Sequence, residues 1–196
     1  MNSTPTRKEI THDRIVKTAA GVIRRSGYDG MGVADIMKEA GLTHGGFYAH
    51  FDSRTQLLVE AVDRAAGDSF DSLRRVVGQG KPGEALNTLV DAYLSDEHVD
   101  HPEAGCTFSS LGTEMPRQAP EVRQVCGRRL KEMVDLVERQ MPDWGEPGQH
   151  EKALGVLSCL VGAMVLARAA EDKRLSGALR KAAKTMIQQS IENGAA

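Results

Sequence analysis

Between Thr43 and His50 the chain sets two hydroxyls, Thr43 and Tyr48, beside two imidazoles, His44 and His50. Such groups donate hydrogen bonds to phosphate oxygens or to the polar edges of bases, and none is a strong nucleophile or a carboxylic acid. Gly45 and Gly46 interrupt them. Each glycine costs a helix roughly 1 kcal/mol relative to alanine. A chain accepts that cost where its backbone must approach another surface closely, and the wall of a DNA major groove is such a surface. Leu42, Phe47 and Phe51 are spaced to anchor the segment from behind, and Arg54 follows.

A second chemical centre is Cys106, at the start of a short helix where unpaired backbone N–H groups favour a thiolate. His98 and His101 lie just upstream. Three readings stay open: a packing residue, a redox sensor that reacts with electrophiles or oxidants, and the nucleophile of a small enzyme. The last lacks support, because there is no Gly-x-Ser-x-Gly and no strand to carry a nucleophile. His98 and His101 with Asp100, Glu103 and Cys106 have a metal-like composition, but no second tight pair completes a site. Neither a metal nor a cofactor is expected, and the chain reads as a non-enzyme.

The elements that must hold these residues are all helical. Ile15, Ala19, Val22 and Ile23 make one stripe of a 3.6-residue period, predicting a helix over 11–26 capped by Thr11 and stopped by Gly27, with Tyr28 folding back on the stripe. A short helix over 33–40, a turn at Gly41 and a third helix over 43–51 capped by Thr43 make a helix-turn-helix. Further helices follow over 52–78, 84–94, 107–114 (a short one), 120–140, 148–171 and 176–192, the last capped by Ser176. The Gly80-Lys81-Pro82-Gly83 break and the polar 96–105 segment read as loops, and the first ten residues as a frayed tail.

With 40% hydrophobic and 27% charged residues, the composition is that of a soluble globular protein. No apolar run follows Met1, the apolar stretch 153–167 is shorter than a bilayer span, and three cysteines without a CxxC pair suit a reducing compartment. Cytoplasmic location and no membrane partner are expected. The net charge of −2 excludes indiscriminate coating of nucleic acid, although basic residues outnumber acidic ones before Thr55 and the reverse holds after it.

The 10–60 segment resembles the DNA-binding domain of TetR-family repressors. The resemblance rests on Gly41-Leu42-Thr43, on Gly46-Phe47-Tyr48-Ala49-His50-Phe51 and on the long helix that follows. It implies an all-α fold: a three-helix DNA-binding domain over 1–54 and a six-helix effector-binding and dimerisation domain over 55–196. It implies that Thr43, His44, Gly46, Tyr48 and His50 lie in or beside the major groove, Tyr48 and His50 at phosphates, with Arg54 as a phosphate clamp. Gly32 stands where the family usually has Thr or Ser, and Ala34 where some members carry a base-reading Arg, so base reading falls on the third helix. Operator DNA, a homodimer through the 148–171 and 176–192 helices, and a small-molecule effector are the implied partners. Phe70, Leu89, Tyr93, Phe108, Leu111 and Met133, with Leu86, Met115 and Val125, are the expected walls of the effector pocket. Gly105-Cys106 with Leu111 and Glu114 resembles a Gly-Cys…Leu…Glu stretch of one branch of these repressors.

Overall fold

A computed structural model of the chain describes residues 4–30, 32–81 and 83–192; Asn2 and Ser3 of the expected tail and Pro82 of the expected break lie outside them. Among the described residues there are nine α-helices, two 3-10 helices and no strand. The α-helices are α1 (Arg7–Ser26), α2 (Val33–Glu39), α3 (Arg54–Gln79), α4 (Ala85–Tyr93), α5 (Asp96–Asp100), α6 (Thr107–Leu111), α7 (Pro120–Glu138), α8 (Gln149–Ala169) and α9 (Lys173–Glu192). The 3-10 helices are His44–Ala49 and Met115–Arg117. The all-helical expectation holds.

Several element ends differ from expectation for local reasons. Thr6 rather than Thr11 caps α1: its hydroxyl accepts the Glu9 N–H at 3.2 Å, and the Glu9 carboxylate accepts the Thr6 N–H at 2.7 Å. The Thr11 hydroxyl instead donates back to the Arg7 carbonyl at 2.8 Å. Four residues of the expected frayed tail are therefore helical; Ile10 points to solvent, so no apolar stripe marks that turn. The expected 96–105 loop contains α5, nucleated by the Ser95 hydroxyl accepting the His98 N–H at 3.2 Å. Asp172 rather than Ser176 starts α9, its carboxylate accepting the Arg174 N–H at 2.8 Å, while Ser176 is buried inside the helix. The third helix is a six-residue 3-10 turn in which the Thr43 hydroxyl makes no cap bond. Two adjacent glycines in so short a segment leave too little propensity for regular α-helix.

One hydrophobic core runs unbroken from Ile15 in α1 to Ile187 in α9. Its spine is α3, which buries Leu57, Leu58, Ala61, Val62, Ala65 and Ala66 and packs along both α1 and α7. The N-terminal helices and the body thus share a core chiefly through one 26-residue helix, with α1 also packed against α6.

The apolar stretch 153–167 lies inside α8, whose 21 residues include an 18-residue window of mean hydropathy 1.6, long and apolar enough by length and composition to cross a membrane. One face, including Val156, Leu157, Leu160 and Met164, is buried, and α8 packs against α7 and α9. The opposite face leaves Leu154 and Leu166 exposed, as α9 leaves Leu175 and Met186. Leu160 is fully buried on the inward face. Its replacement by Ala should cost about 2–5 kcal/mol of stability by loss of contacts and a residual cavity. A urea-unfolding midpoint unchanged in Leu160→Ala would contradict this packing.

Candidate DNA interface and ligand cavity

The turn between α2 and the 3-10 helix is closed by Gly41, at φ +71°, and by the Leu42 N–H donating to the Met37 carbonyl at 2.8 Å. Behind the 3-10 helix, Phe47 and Phe51 are buried and stacked with centroids 5.4 Å apart; the His12 ring of α1 stacks on Phe51 at 4.5 Å. In front, Thr43, His44, Gly45 and Tyr48 are exposed, Tyr48 at 72%, and Gly46 is half-buried. A Cβ at Gly45 would meet nothing within 4 Å, and one at Gly46 would meet the Met37 side chain only at 3.7 Å. Nothing inside the molecule requires glycine at either position.

His50 is half-buried, and its Nδ1 is buried with no hydrogen-bond partner. Burial, then the positive charges of His12 and Lys8, lower its pKa, so the ring is neutral at neutral pH. The His12 Nε2 is 2.5 Å from a Glu60 carboxylate oxygen, which ties α1 to α3 beside this surface. Lys8 escaped the sequence reading because an exposed lysine in a helix carries no pattern. Arg54 donates to the Tyr28 carbonyl and, at 2.9 Å, to Asp29, strapping the turn after α1 to the start of α3.

The residues expected to wall one pocket do not converge. Tyr93 lines a cavity of about 370 Å³ between α3, α4, α5 and the start of α6, together with Ser69, Leu73, Val76, His98 and Cys106. Phe108 and Met115 line a second, larger hollow of about 640 Å³ between α7 and α8. Phe70 sits in a shallow groove beneath Arg74, and Leu86 lines another beside α9. Leu89, Leu111, Val125 and Met133 are buried core and line neither of the first two cavities. Apolar spacing on a helix marks burial without saying against what.

The first cavity backs on a buried polar cluster that sequence reasoning did not assemble. The Tyr93 hydroxyl is buried without a hydrogen-bond partner, and burial pushes its pKa well above the ordinary phenol value. Cys106 is 3% exposed at the cavity wall. Arg168 of α8 donates to the His98 carbonyl at 2.6 Å and to Ser109 and Ser110 at 3.1 and 2.9 Å. Burial lowers the pKa of Arg168 and of Arg24, although neither leaves the charged state near neutrality. Among the described residues no three His, Cys, Asp or Glu side chains converge to hold a metal.

Two family models match the chain. Residues 15–61 match the one described as bacterial regulatory proteins, tetR family, and residues 82–185 match the transcriptional regulator LmrA/YxaF-like C-terminal domain. The HTH-type transcriptional regulator Rv0196 of Mycobacterium tuberculosis is 29% identical over 169 residues, 82% of this chain and 85% of that protein. LmrA of Bacillus subtilis is 22% identical over 170 residues, 83% of this chain and 88% of its own. Among solved structures, a TetR transcriptional regulator from Chloroflexus aurantiacus superposes with a TM-score of 0.78 at 24% identity, covering 93% of this chain and 96% of that one. The reduced form of Escherichia coli NemR does so with 0.76 at 17% identity, covering 92% and 96%. At these identities the structures show a shared fold.

His98 pins the cavity wall through its tautomer. Its Nε2 accepts the Cys106 N–H at 2.8 Å, so that nitrogen carries no proton; its Nδ1 lies 2.6 Å from the Tyr93 carbonyl and must donate. Only the neutral ring satisfies both. Burial, reinforced by the Arg168 charge and opposed by the Tyr93 carbonyl, lowers its pKa to about 4. The unfolded chain therefore takes up a proton near pH 6.5 that the folded chain refuses until about 4. Stability should fall as pH is lowered through that window. Denaturant midpoints measured from pH 7 to pH 4.5 should show a weaker decline in His98→Gln than in the parent chain; equal declines would exclude the neutral pin.

Proposed function

The chain belongs to the TetR family of bacterial transcriptional regulators, and from that premise we propose how it reads DNA and what releases it. It is a DNA-binding transcriptional regulator and not an enzyme. In this reading residues 1–54 are the reading head and 55–196 the effector-binding and dimerisation domain. Thr43, His44 and Gly46 enter the major groove, Tyr48 and His50 flank it at phosphates, and Arg54 adds a basic group beside the backbone while holding the turn after α1. The observation that carries the assignment is the exposed front of the 3-10 helix, where two glycines stand without any internal need for them. Close approach of a duplex is the reason for their small size.

Operator recognition by this motif uses two half-sites about 34–36 Å apart, hence two heads. The proposed seam joins α8 and α9 to their symmetry mates as a four-helix bundle. Leu154, Leu166, Leu175 and Met186 support it, being 43–57% exposed on the outward side of these helices. The protein then acts as a repressor on chromosomal DNA in the cytoplasm.

The effector site we propose is the cavity at Tyr93 and Cys106, whose volume falls within the range of about 300–1,000 Å³ usual for small-ligand pockets. It has an apolar wall in Leu73 and Val76 and polar side chains in Ser72, Ser95 and His101 to fix orientation. The hollow at Phe108 and Met115 shares Leu154 with the proposed seam and is left to the subunit contact. Binding favours a dimer whose heads no longer match successive grooves, so the operator is released by a shift of population.

A second reading is favoured by one observation: Cys106, a buried core residue, is also among the residues that line the cavity. Here the Gly105-Cys106, Leu111 and Glu114 stretch marks the branch of the family, and thiol modification replaces effector binding. Cys106→Ser should abolish release by iodoacetamide under this second reading and leave release by a non-covalent effector intact under the first.

For the head, Gly45→Ala should leave the unfolding free energy within about 1 kcal/mol of the parent, since the new methyl meets nothing. The same change should weaken binding to the duplex that the chain enriches from its own genome at least tenfold. Undiminished DNA affinity in Gly45→Ala and in Tyr48→Ala would overturn the interface.

A further inference from the structure

The segment from Gly105 to Glu114 is fastened at its start to the last turn of α1 and at its end to the turn that follows α1. At its start, the Gly105 carbonyl accepts the Ser69 hydroxyl at 2.8 Å and lies 3.4 Å from the Arg24 guanidinium. Arg24 also donates to the Ala65 carbonyl at 3.1 Å and the Ser69 hydroxyl at 3.4 Å, so one buried side chain of α1 grips α3 and the start of α6 together. At its end, the Glu114 carboxylate accepts the Tyr28 N–H at 3.0 Å, beneath the turn that leaves α1. The Tyr28 ring is itself buried, its hydroxyl 3.9 Å from the Cys126 sulfur of α7. The first fastening is also cavity wall, since Ser69, Gly105 and Cys106 line the space beside Tyr93.

From this we propose that Arg24 and Glu114 are positioning residues for DNA reading: they bolt the head to the two ends of α6, so the state of the cavity wall at Gly105 sets the angle at which the head is held. The proposal rests on the two-headed, effector-released reading above. A buried guanidinium stays charged, so displacing one of the carbonyl or hydroxyl oxygens that hold it leaves a charged N–H without a partner away from water. Displacing the Gly105 carbonyl therefore loosens the grip on α3 and on α1 at once. Arg168 and His98 hold the same segment from the body side, so it has little slack to absorb a push from the cavity.

Gly105 supplies a way to push without a ligand. A Cβ there would fall against the His98 ring and 2.8 Å from the Arg168 Nη2, in a space already filled. Gly105→Ala should thus mimic an occupied cavity. Glu114→Ala removes the second bolt, whereas Glu114→Gln keeps an oxygen to accept the Tyr28 N–H.

The test uses the intact protein and the duplex that it enriches from its own genome, offered whole and cut to one half-site. The parent chain should prefer the whole site. Gly105→Ala and Glu114→Ala should each lose at least tenfold on the whole site while changing less than threefold on the half-site. Glu114→Gln should stay within threefold of the parent on both. The double variant Gly105→Ala with Glu114→Ala should fall little further than either single one, because both act on one junction. Unchanged whole-site affinity in both single variants overturns the proposal, as does equal loss on whole and half-sites, which means damage to the head itself. A parent chain with no preference for the whole site contradicts the two-headed reading directly, and that outcome is visible before any variant is made.

Discussion

The rest of the structure depends on one shared burial: α3 buries Leu57, Leu58, Ala61 and Val62 in a core continuous from α1 to α9. At about 25 cal/mol per Å² of apolar surface, splitting that core would expose side chains worth several kcal/mol, comparable to the whole stability of an ordinary domain. The head is therefore not a bead on a string. It is the far end of a body that continues into it, and any change of angle must be worked through the few polar contacts that border the core.

Those contacts are unusual in kind. Arg24, which is buried, and Arg168, which is half-buried, are charges held by carbonyl and hydroxyl oxygens rather than by hydrogen-bonded carboxylates. Dipoles satisfy a buried guanidinium only in one geometry, whereas an ion pair at the surface tolerates sliding. His98 adds the same demand, since its neutral tautomer is dictated by an N–H on one side and a carbonyl on the other. The region between cavity and head is thus built to have few alternative arrangements, which is the condition for a local change to be felt at a distance.

Much of this was legible in the residues alone. The stripe at Ile15, Ala19, Val22 and Ile23, the turn at Gly41 and the aromatic anchors Phe47 and Phe51 each map onto an element or a buried contact of the expected kind. The exposed face carrying Thr43, His44 and Tyr48 was legible for the same reason: its neighbours are too apolar to face water. What escaped was decided by partners distant in sequence. Arg24 reads as an ordinary basic residue near a helix end, and only the fold brings the Gly105 carbonyl to it across 81 positions. The α5 helix has no apolar period and owes its order to the Ser95 cap and the His98 pin. The expected pocket walls were chosen as apolar residues at helical spacing; they fall on four separate hollows or, for Leu89, Leu111, Val125 and Met133, into buried core, because that spacing is the same for core and cavity.

The most direct test of the account is amide hydrogen exchange on the intact chain, followed by mass spectrometry with and without the duplex that it selects from its own genome. The 3-10 helix is exposed and short, so its amides exchange quickly in the free protein and leave ample room for protection. The account predicts that DNA slows exchange in the peptides spanning 43–50, with a smaller slowing at the α1 end around Tyr28. Slowed exchange confined to α8 and α9, with 43–50 unchanged, would contradict it.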